Sequence, residues 1–345
     1  MTGMRDVAKK ANVALSTVSI VLNNGDKYVS KELKERVLKA AKDLNYNIKK
    51  HKNDKYNAIA VILPNISSSF FSNLLNGVEE AAKEQGYITI VGNTHYDFEE
   101  EKRFLKVVKK QGVKGIVIDT VCPMKKEDEY YNFLKKNYIE KDISIIFLEK
   151  KIKREYEKFF HEIYIDHEKN AYLATLHLLE KGCKNIGHIS GNLEDFLYNS
   201  RLKGYIRALK THDISINKDL IVEGELTPSS GYIKAKDLMI KNNKIDAIFA
   251  ANDQMAIGAI KAIQQEGKKI PEDILVVGID NISVSSMIAP SLTTINVPIY
   301  QMGRKAIQIL SKNDKKIYRI ELFGNLIVRK STDLDGEDEW ILFGW

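Results

Sequence analysis

From residue 58 onward the chain alternates short apolar runs with longer stretches in which apolar residues recur every three or four positions. NAIAVILP, YITIV, KGIVID and SIIFL are runs of the first kind, and EIYID, NIGHIS, AIFAA and ILVVGID repeat the theme further along. Their length and β-branched content read as buried strands. Between them Leu74, Leu75, Val78, Ala81 and Ala82 mark one helical period, and 169–181, 200–210, 229–241 and 252–266 carry others. This alternation predicts α/β architecture with parallel sheets covered on both faces, and its extent predicts two lobes. Ligands in such folds sit beyond the carboxyl ends of strands.

The first 46 residues follow a different rhythm. Residues 4–10 read as a short helix with Val7, Ala8 and Ala11 inward, Asp6 in the first turn and Gly3 as a weak cap. Asn12 can take the left-handed conformation that closes it. A second helix is expected from about Leu15 to Asn23. At about 100° per residue, Leu15, Ser16, Ser19, Ile20 and Asn23 share one arc and Thr17, Val18, Val21 and Leu22 the other. Ser30 can cap a third helix carrying Leu33, Val37, Ala40, Ala41 and Leu44 inward. Two short helices joined by a tight turn are how a helix-turn-helix puts its second helix into the major groove.

Charge supports that reading. Residues 1–58 hold 13 Lys and Arg against 6 Asp and Glu, whereas residues 59–345 hold 40 of each. The whole excess of +7 therefore sits in one small segment, the footprint of a phosphate-binding unit on a neutral body. Cys122 and Cys183 are the only cysteines, which points away from a disulfide framework or a cysteine zinc site. With no apolar leader at the N-terminus and no membrane-length run, a cytoplasmic chain without a membrane partner is expected. No phosphate loop, dinucleotide glycine fingerprint or G-x-S-x-G elbow is present, so an enzyme with a cofactor is not expected. His161, Glu162 and His167 lack the H-E-x-x-H spacing and read as residues flanking a strand rather than metal ligands.

The run RDVAKKANVALSTVSIVLN, followed by YVSKELKERVLKAAKDLNY, closely resembles the DNA-binding domain of the LacI/GalR family of transcriptional regulators. The resemblance continues to about Thr332 through FFSNLLNGVEEAA, ANDQMAIGAIKAI, VVGIDN and PSLTTI, as a periplasmic-binding-protein-like sensor. It implies a homodimeric repressor that binds a double-stranded operator and responds to a small sugar-like effector held between lobes. An effector-binding module or a regulator working through a protein co-regulator is the alternative. Thr17, Ser19 and Asn23 would hold the DNA backbone, and Leu15, Ser16 and Ile20 would read bases. Arg201 would grip the effector and Asp280 would take its hydroxyls, with Phe70, Glu149 and Asn252 as further pocket residues. The chain would pass between lobes near Tyr164, Asn296 and Tyr318.

Several positions depart from the family pattern. Asn12 stands for a usual Gly, Ala14 for a usual capping Ser, Ile20 for a frequent Arg and Glu149 for a usual Asp, while Leu226 lies near a usual aromatic. Relatives follow the tyrosine matching Tyr46 with a helix that wedges leucine into the minor groove. Here residues 47–58 have no Pro or Leu, and Lys49, Lys50 and Lys52 suit phosphate tracking instead. The organisation expected is therefore 1–46 helix-turn-helix, 47–58 short basic linker, 59–332 two-lobed effector and dimerisation domain, and 333–345 an acidic, aromatic tail that lacks tetramerising heptads.

Overall fold

A computed structural model describes residues 3–22, 29–44, 46, 57–312, 314 and 316–336. Asn23, Lys49, Lys50 and Lys52, the linker residues 47–56 and tail residues 337–345 lie outside the described residues. The chain forms two compact units, Met1–Asn57 and Ala58–Trp345.

In the first unit α1 (Met4–Ala11), α2 (Leu15–Leu22) and α3 (Lys31–Asp43) enclose Val7, Ala8, Ala11, Val18, Val21, Leu22, Val37, Ala40, Ala41 and Tyr46. The α1 cap is stronger than a bare glycine suggests, because the Asp6 carboxylate accepts the Gly3 N–H at 2.7 Å. Asn12 ends α1 at φ 50°, ψ 54°. Ser30 Oγ accepts from Leu33 N–H at 3.4 Å and starts α3. Arg36, on α3, donates from Nε and Nη2 to the Ala11 carbonyl at 3.3 and 3.0 Å, and from Nη2 to that of Asn12 at 3.2 Å. One guanidinium thus fastens the α1–α2 turn to α3 and satisfies helix-end carbonyls.

In the second unit lobe 1 holds β1 (Asn57–Leu63), α4 (Ser69–Glu84), β2 (Tyr87–Asn93), α5 (Phe98–Gln111), β3 (Gly115–Ile118), α6 (Glu127–Asn137), β4 (Ser144–Leu148) and β5 (His161–Ile165). Lobe 2 follows with α7 (His167–Glu180), β6 (Ile186–Ser190), α8 (Phe196–Thr211), β7 (Ile221–Glu223), α9 (Pro228–Lys241), β8 (Ala247–Ala250), α10 (Asp253–Gln265), β9 (Leu275–Asp280) and β10 (Thr293–Asn296). The chain then returns to lobe 1 for α11 (Ile299–Ser311) and β11 (Arg319–Leu322), and ends in lobe 2 with β12 (Asn325–Ile327). The sheets run β11-β5-β4-β3-β1-β2 and β12-β10-β9-β8-β6-β7. The pairings along β11-β5-β4-β3-β1 and β10-β9-β8-β6-β7 are parallel, and at the second sheet's edge β12 lies antiparallel to β10.

Sequence periodicity missed β7 and β10–β12, whose three or four residues (IVE, TTIN, RIEL and NLI) include polar ones, unlike the equally short but wholly apolar β3 and β8. It also started α8 four residues late, because Asp195 caps the helix by accepting from Leu197 N–H at 2.9 Å. The three crossings fall at Asp166, Val297–Pro298 and Phe323–Gly324. The third corrects the expectation of a crossing near Tyr318. That residue is tied to lobe 1: its N–H donates to His161 Nδ1 at 3.1 Å and its carbonyl accepts from Glu162 N–H at 3.0 Å. The return of α11 to lobe 1 depends on close packing against α4. A methyl on Gly77 would lie 2.1 Å from the Tyr300 carbonyl oxygen, and one on Gly303 would lie 2.3 Å from that of Leu74.

Candidate functional site

A cavity of about 1150 Å³ opens between the two lobes, walled by segments that follow β1, β3 and β4 on one side and β6, β8 and β9 on the other. Phe70, Glu149, Arg201, Asn252 and Asp280 all line it. They converge because each sits at or just beyond a strand's carboxyl end, or on the helix that follows one.

Arg201, in α8, is 3% exposed. Its Nη1 donates to the Ala251 carbonyl, its Nη2 lies 3.7 Å from Asp280 Oδ1, and its Nε has no partner. The guanidinium sits 5.9 Å from the Tyr198 ring centroid. Asp280 closes β9 at φ 118°, a backbone state rare for a side-chain-bearing residue. Burial pushes its carboxyl up to about 8; Arg201 opposes the shift, and Asp253 and Glu149 add to it. Burial wins because 3.7 Å is beyond a hydrogen bond, so the cation does not replace the lost water.

Glu149, at φ 57°, is buried beside His167, the first residue of α7. Glu149 Oε2 and His167 Nε2 are 2.7 Å apart, but the approach is off the line of a hydrogen bond, leaving both Glu149 oxygens and both ring nitrogens without one. Asn252 has a structural task. Its Oδ1 accepts from Met255 N–H at 2.9 Å to cap α10, and its Nδ2 donates to the Leu226 carbonyl at 3.3 Å. Phe70 lines the cavity edge-on to Phe71, centroids 5.2 Å apart.

Sequence reasoning passed over Asp119, Asp195, Tyr96 and Tyr198, which share the cavity wall. Asp119 had a signal available, since it ends the run KGIVID as Asp280 ends ILVVGID. Burial pushes the Asp119 carboxyl well above the usual range, and Glu149, Asp195 and Glu101 push it further against Lys150. Of the residues weighed for metal, His161 accepts from Tyr318, Glu162 accepts from Ile152 N–H at 2.8 Å, and His167 faces Glu149.

On α2, Leu15 is 43% exposed, Ser16 is exposed, and Thr17, Ser19 and Ile20 are half-buried, while Val18, Val21 and Leu22 are buried. The helix therefore turns an apolar side inward and presents Leu15 and Ser16 at its start.

Residues 3–48 match the model of bacterial regulatory proteins of the lacI family, and residues 175–332 match a periplasmic binding protein-like domain. The chain is 34% identical over 340 residues to the ribose operon repressor of Halalkalibacterium halodurans, covering 96% of this chain and 97% of that one. It belongs to the LacI family. The HTH-type transcriptional repressor PurR of Histophilus somni is 32% identical over 96% of this chain and 99% of its own length. Among solved structures, the lac repressor dimer bound to operator and the anti-inducer ONPF is 26% identical with a TM-score of 0.71, over 96% of this chain and 99% of that chain. A LacI family regulator from Enterococcus faecium with bound ribose is 27% identical with a TM-score of 0.68, over 80% and 98%.

As a LacI-family member the chain is a DNA-binding transcriptional regulator, with helix-turn-helix helices ahead of a two-sheet α/β sensor. Its α2 is the second helix of that motif. Among the described residues no helix is long and apolar enough to cross a membrane.

Proposed function

We propose that this regulator is a cytoplasmic, homodimeric repressor whose operator affinity is set by a small polyhydroxylated effector, a sugar or sugar derivative, held between the lobes. The carrying observation is the buried Arg201, with an unpaired Nε–H and Asp280 beside it in one cavity. A fork of donors and a carboxylate match the vicinal hydroxyls of a polyol. The ribose bound to the E. faecium regulator and the ribose operon repressor support the sugar class. On the DNA side Leu15, Ser16 and Ile20 read bases, Thr17, Ser19 and Asn23 hold the backbone, and Lys49, Lys50 and Lys52 follow phosphates.

A thermal-shift screen with sugars, sugar phosphates, nucleosides and purines tests the effector reading. A ligand at 100 times its Kd adds about 2.7 kcal/mol of stability. The shift is expected for a sugar and is expected to vanish in Arg201→Ala, whose ligand-free operator affinity stays intact. A shift unaffected by that substitution removes Arg201 from the site. For the linker, circular-permutation gel shifts should give a bend below about 30°, since wedge-type kinks run roughly 20–90°.

A further inference from the structure

The cleft is rich in carboxylates. Asp119 and Glu149 follow strands of lobe 1, Asp195 and Asp280 come from lobe 2, and all four line the one cavity. The cations on the same wall do not balance them. Lys150 Nζ lies 2.5 Å from Glu127 Oε1, outside the cavity wall, and Arg201 is turned toward Asp280 and the Ala251 carbonyl. Lys125 and Lys203 are exposed, as is Asp195, whereas Glu149 is buried and Asp119 and Asp280 are half-buried.

Two of the carboxylates lack the donors that a structural role would supply. Glu149 is 8% exposed, and its contact with His167 Nε2, 2.7 Å from Oε2, is off the line of a hydrogen bond. No described group donates to the Asp119 carboxylate. Asp195 accepts only from its own helix's N–H of Leu197. Burial first, and then the neighbouring acids Glu149 on the same lobe and Asp195 on the other, push the Asp119 carboxyl upward, so the cleft as it stands disfavours an ionised carboxylate there. A sugar hydroxyl can donate to such a group but brings no charge to offset it. A phosphate would add negative charge. An ammonium brings three donors and a positive charge, so it both satisfies the carboxylates and favours their ionised forms.

We propose that the effector carries a primary amine: an amino sugar whose ammonium sits among Asp119, Glu149 and Asp195 while its hydroxyls meet Arg201 and Asp280. This rests on the polyhydroxylated-effector reading and narrows its class.

The test is calorimetric titration of the full chain at pH 7 with D-glucosamine, D-galactosamine and D-mannosamine, each beside its neutral parent, its N-acetyl derivative and the parent's 6-phosphate. At least one amine is expected to bind about tenfold or more tighter than its parent, as a charge-assisted hydrogen bond provides. N-acetylation, which removes the charge, should abolish that gain, and the 6-phosphate should bind most weakly. Asp119→Asn and Glu149→Gln should each lower affinity for the amine about tenfold more than affinity for the parent. If a parent binds as well as its amine and Arg201→Ala abolishes that binding, the amine proposal falls and the polyol reading stands. Tightest binding by a 6-phosphate, or an amine preference untouched by both substitutions, also overturns it. Binding by no member of the panel overturns the amine proposal, while the polyol reading is decided by the thermal-shift screen.

Discussion

The side-chain amide of Asn281 donates to Asn296 Oδ1 at 3.2 Å, joining the loop behind Asp280 to the last residue of β10. Asn296 in turn donates to Asn325 Oδ1 at 3.2 Å, and Arg329 Nη2 holds Asn281 Oδ1 at 2.9 Å. Asn296 immediately precedes the second lobe crossing and Asn325 immediately follows the third. A row of amides therefore links the effector wall to two of the three connections that must bend if the lobes move. Asn296→Ala breaks the row without touching the cavity. It should weaken the effector's influence on operator affinity by about 0.5–2 kcal/mol, the range for residues that carry coupling, while effector affinity changes little. Gel shifts with and without effector, beside direct effector titration, separate the two quantities. An unchanged coupling ratio would reduce the row to packing.

Asp280 makes stability depend on pH in a defined direction. Its folded-state value of about 8 lies above the unfolded value near 4. Between those values the folded state holds more protons than the unfolded one, so this group's contribution falls as pH rises and levels off above about 8. Asp280→Asn removes the ionisable group. The Tm of the variant relative to the parent chain should rise from pH 5 to pH 8 and then flatten, in scans without effector. A difference that is constant over that range would contradict the burial argument.

Arg36 is exposed, yet it holds the carbonyls of Ala11 and Asn12. Replacing it with Ala should destabilise the α1–α2 turn by about 1 kcal/mol, the net value of such hydrogen bonds. Hydrogen exchange of the full chain should then show roughly fivefold less protection in α1 and α2, with α7–α10 unchanged. Equal protection in both proteins would mean that α3 holds the turn by apolar packing alone.

Ile20 offers methyl groups where a guanidinium would read guanine. Ile20→Arg should therefore shift the preferred operator toward guanine at one position in each half-site. Selection from randomised operators reads this directly, and recovery of the same site by both proteins would remove Ile20 from base reading.

Much of this molecule is legible one residue at a time. Eight strands announce themselves by apolar runs, α2 and α3 by their spacing, and the αL closure at Asn12 by residue type, because each depends on contacts within a few positions. The strand-end rule likewise put Asn252 and Asp280, with Phe70 and Glu149 just beyond strands, where such folds hold ligands, whereas Arg201 came from the family resemblance. What local pattern could not decide is where a distant segment lies and what a polar group faces. Tyr318 looked like a crossing residue, but His161 and Glu162, more than 150 positions earlier, bind it to lobe 1. The Asn252 amide looked available, but Met255 and Leu226 occupy it. Asp119 had a signal in the sequence, at the end of KGIVID, but its raised carboxyl depends on the groups that folding gathers around it, Glu149, Asp195 and Glu101. Periodicity along a chain encodes which side of an element is apolar, so the sequence by itself determined the strands with apolar runs, the helices between them and their order, but not the short strands β7 and β10–β12. Desolvation of a charge depends on every group that closes around it, so the identity of the groups sharing the cleft, and their protonation, were decided by tertiary structure.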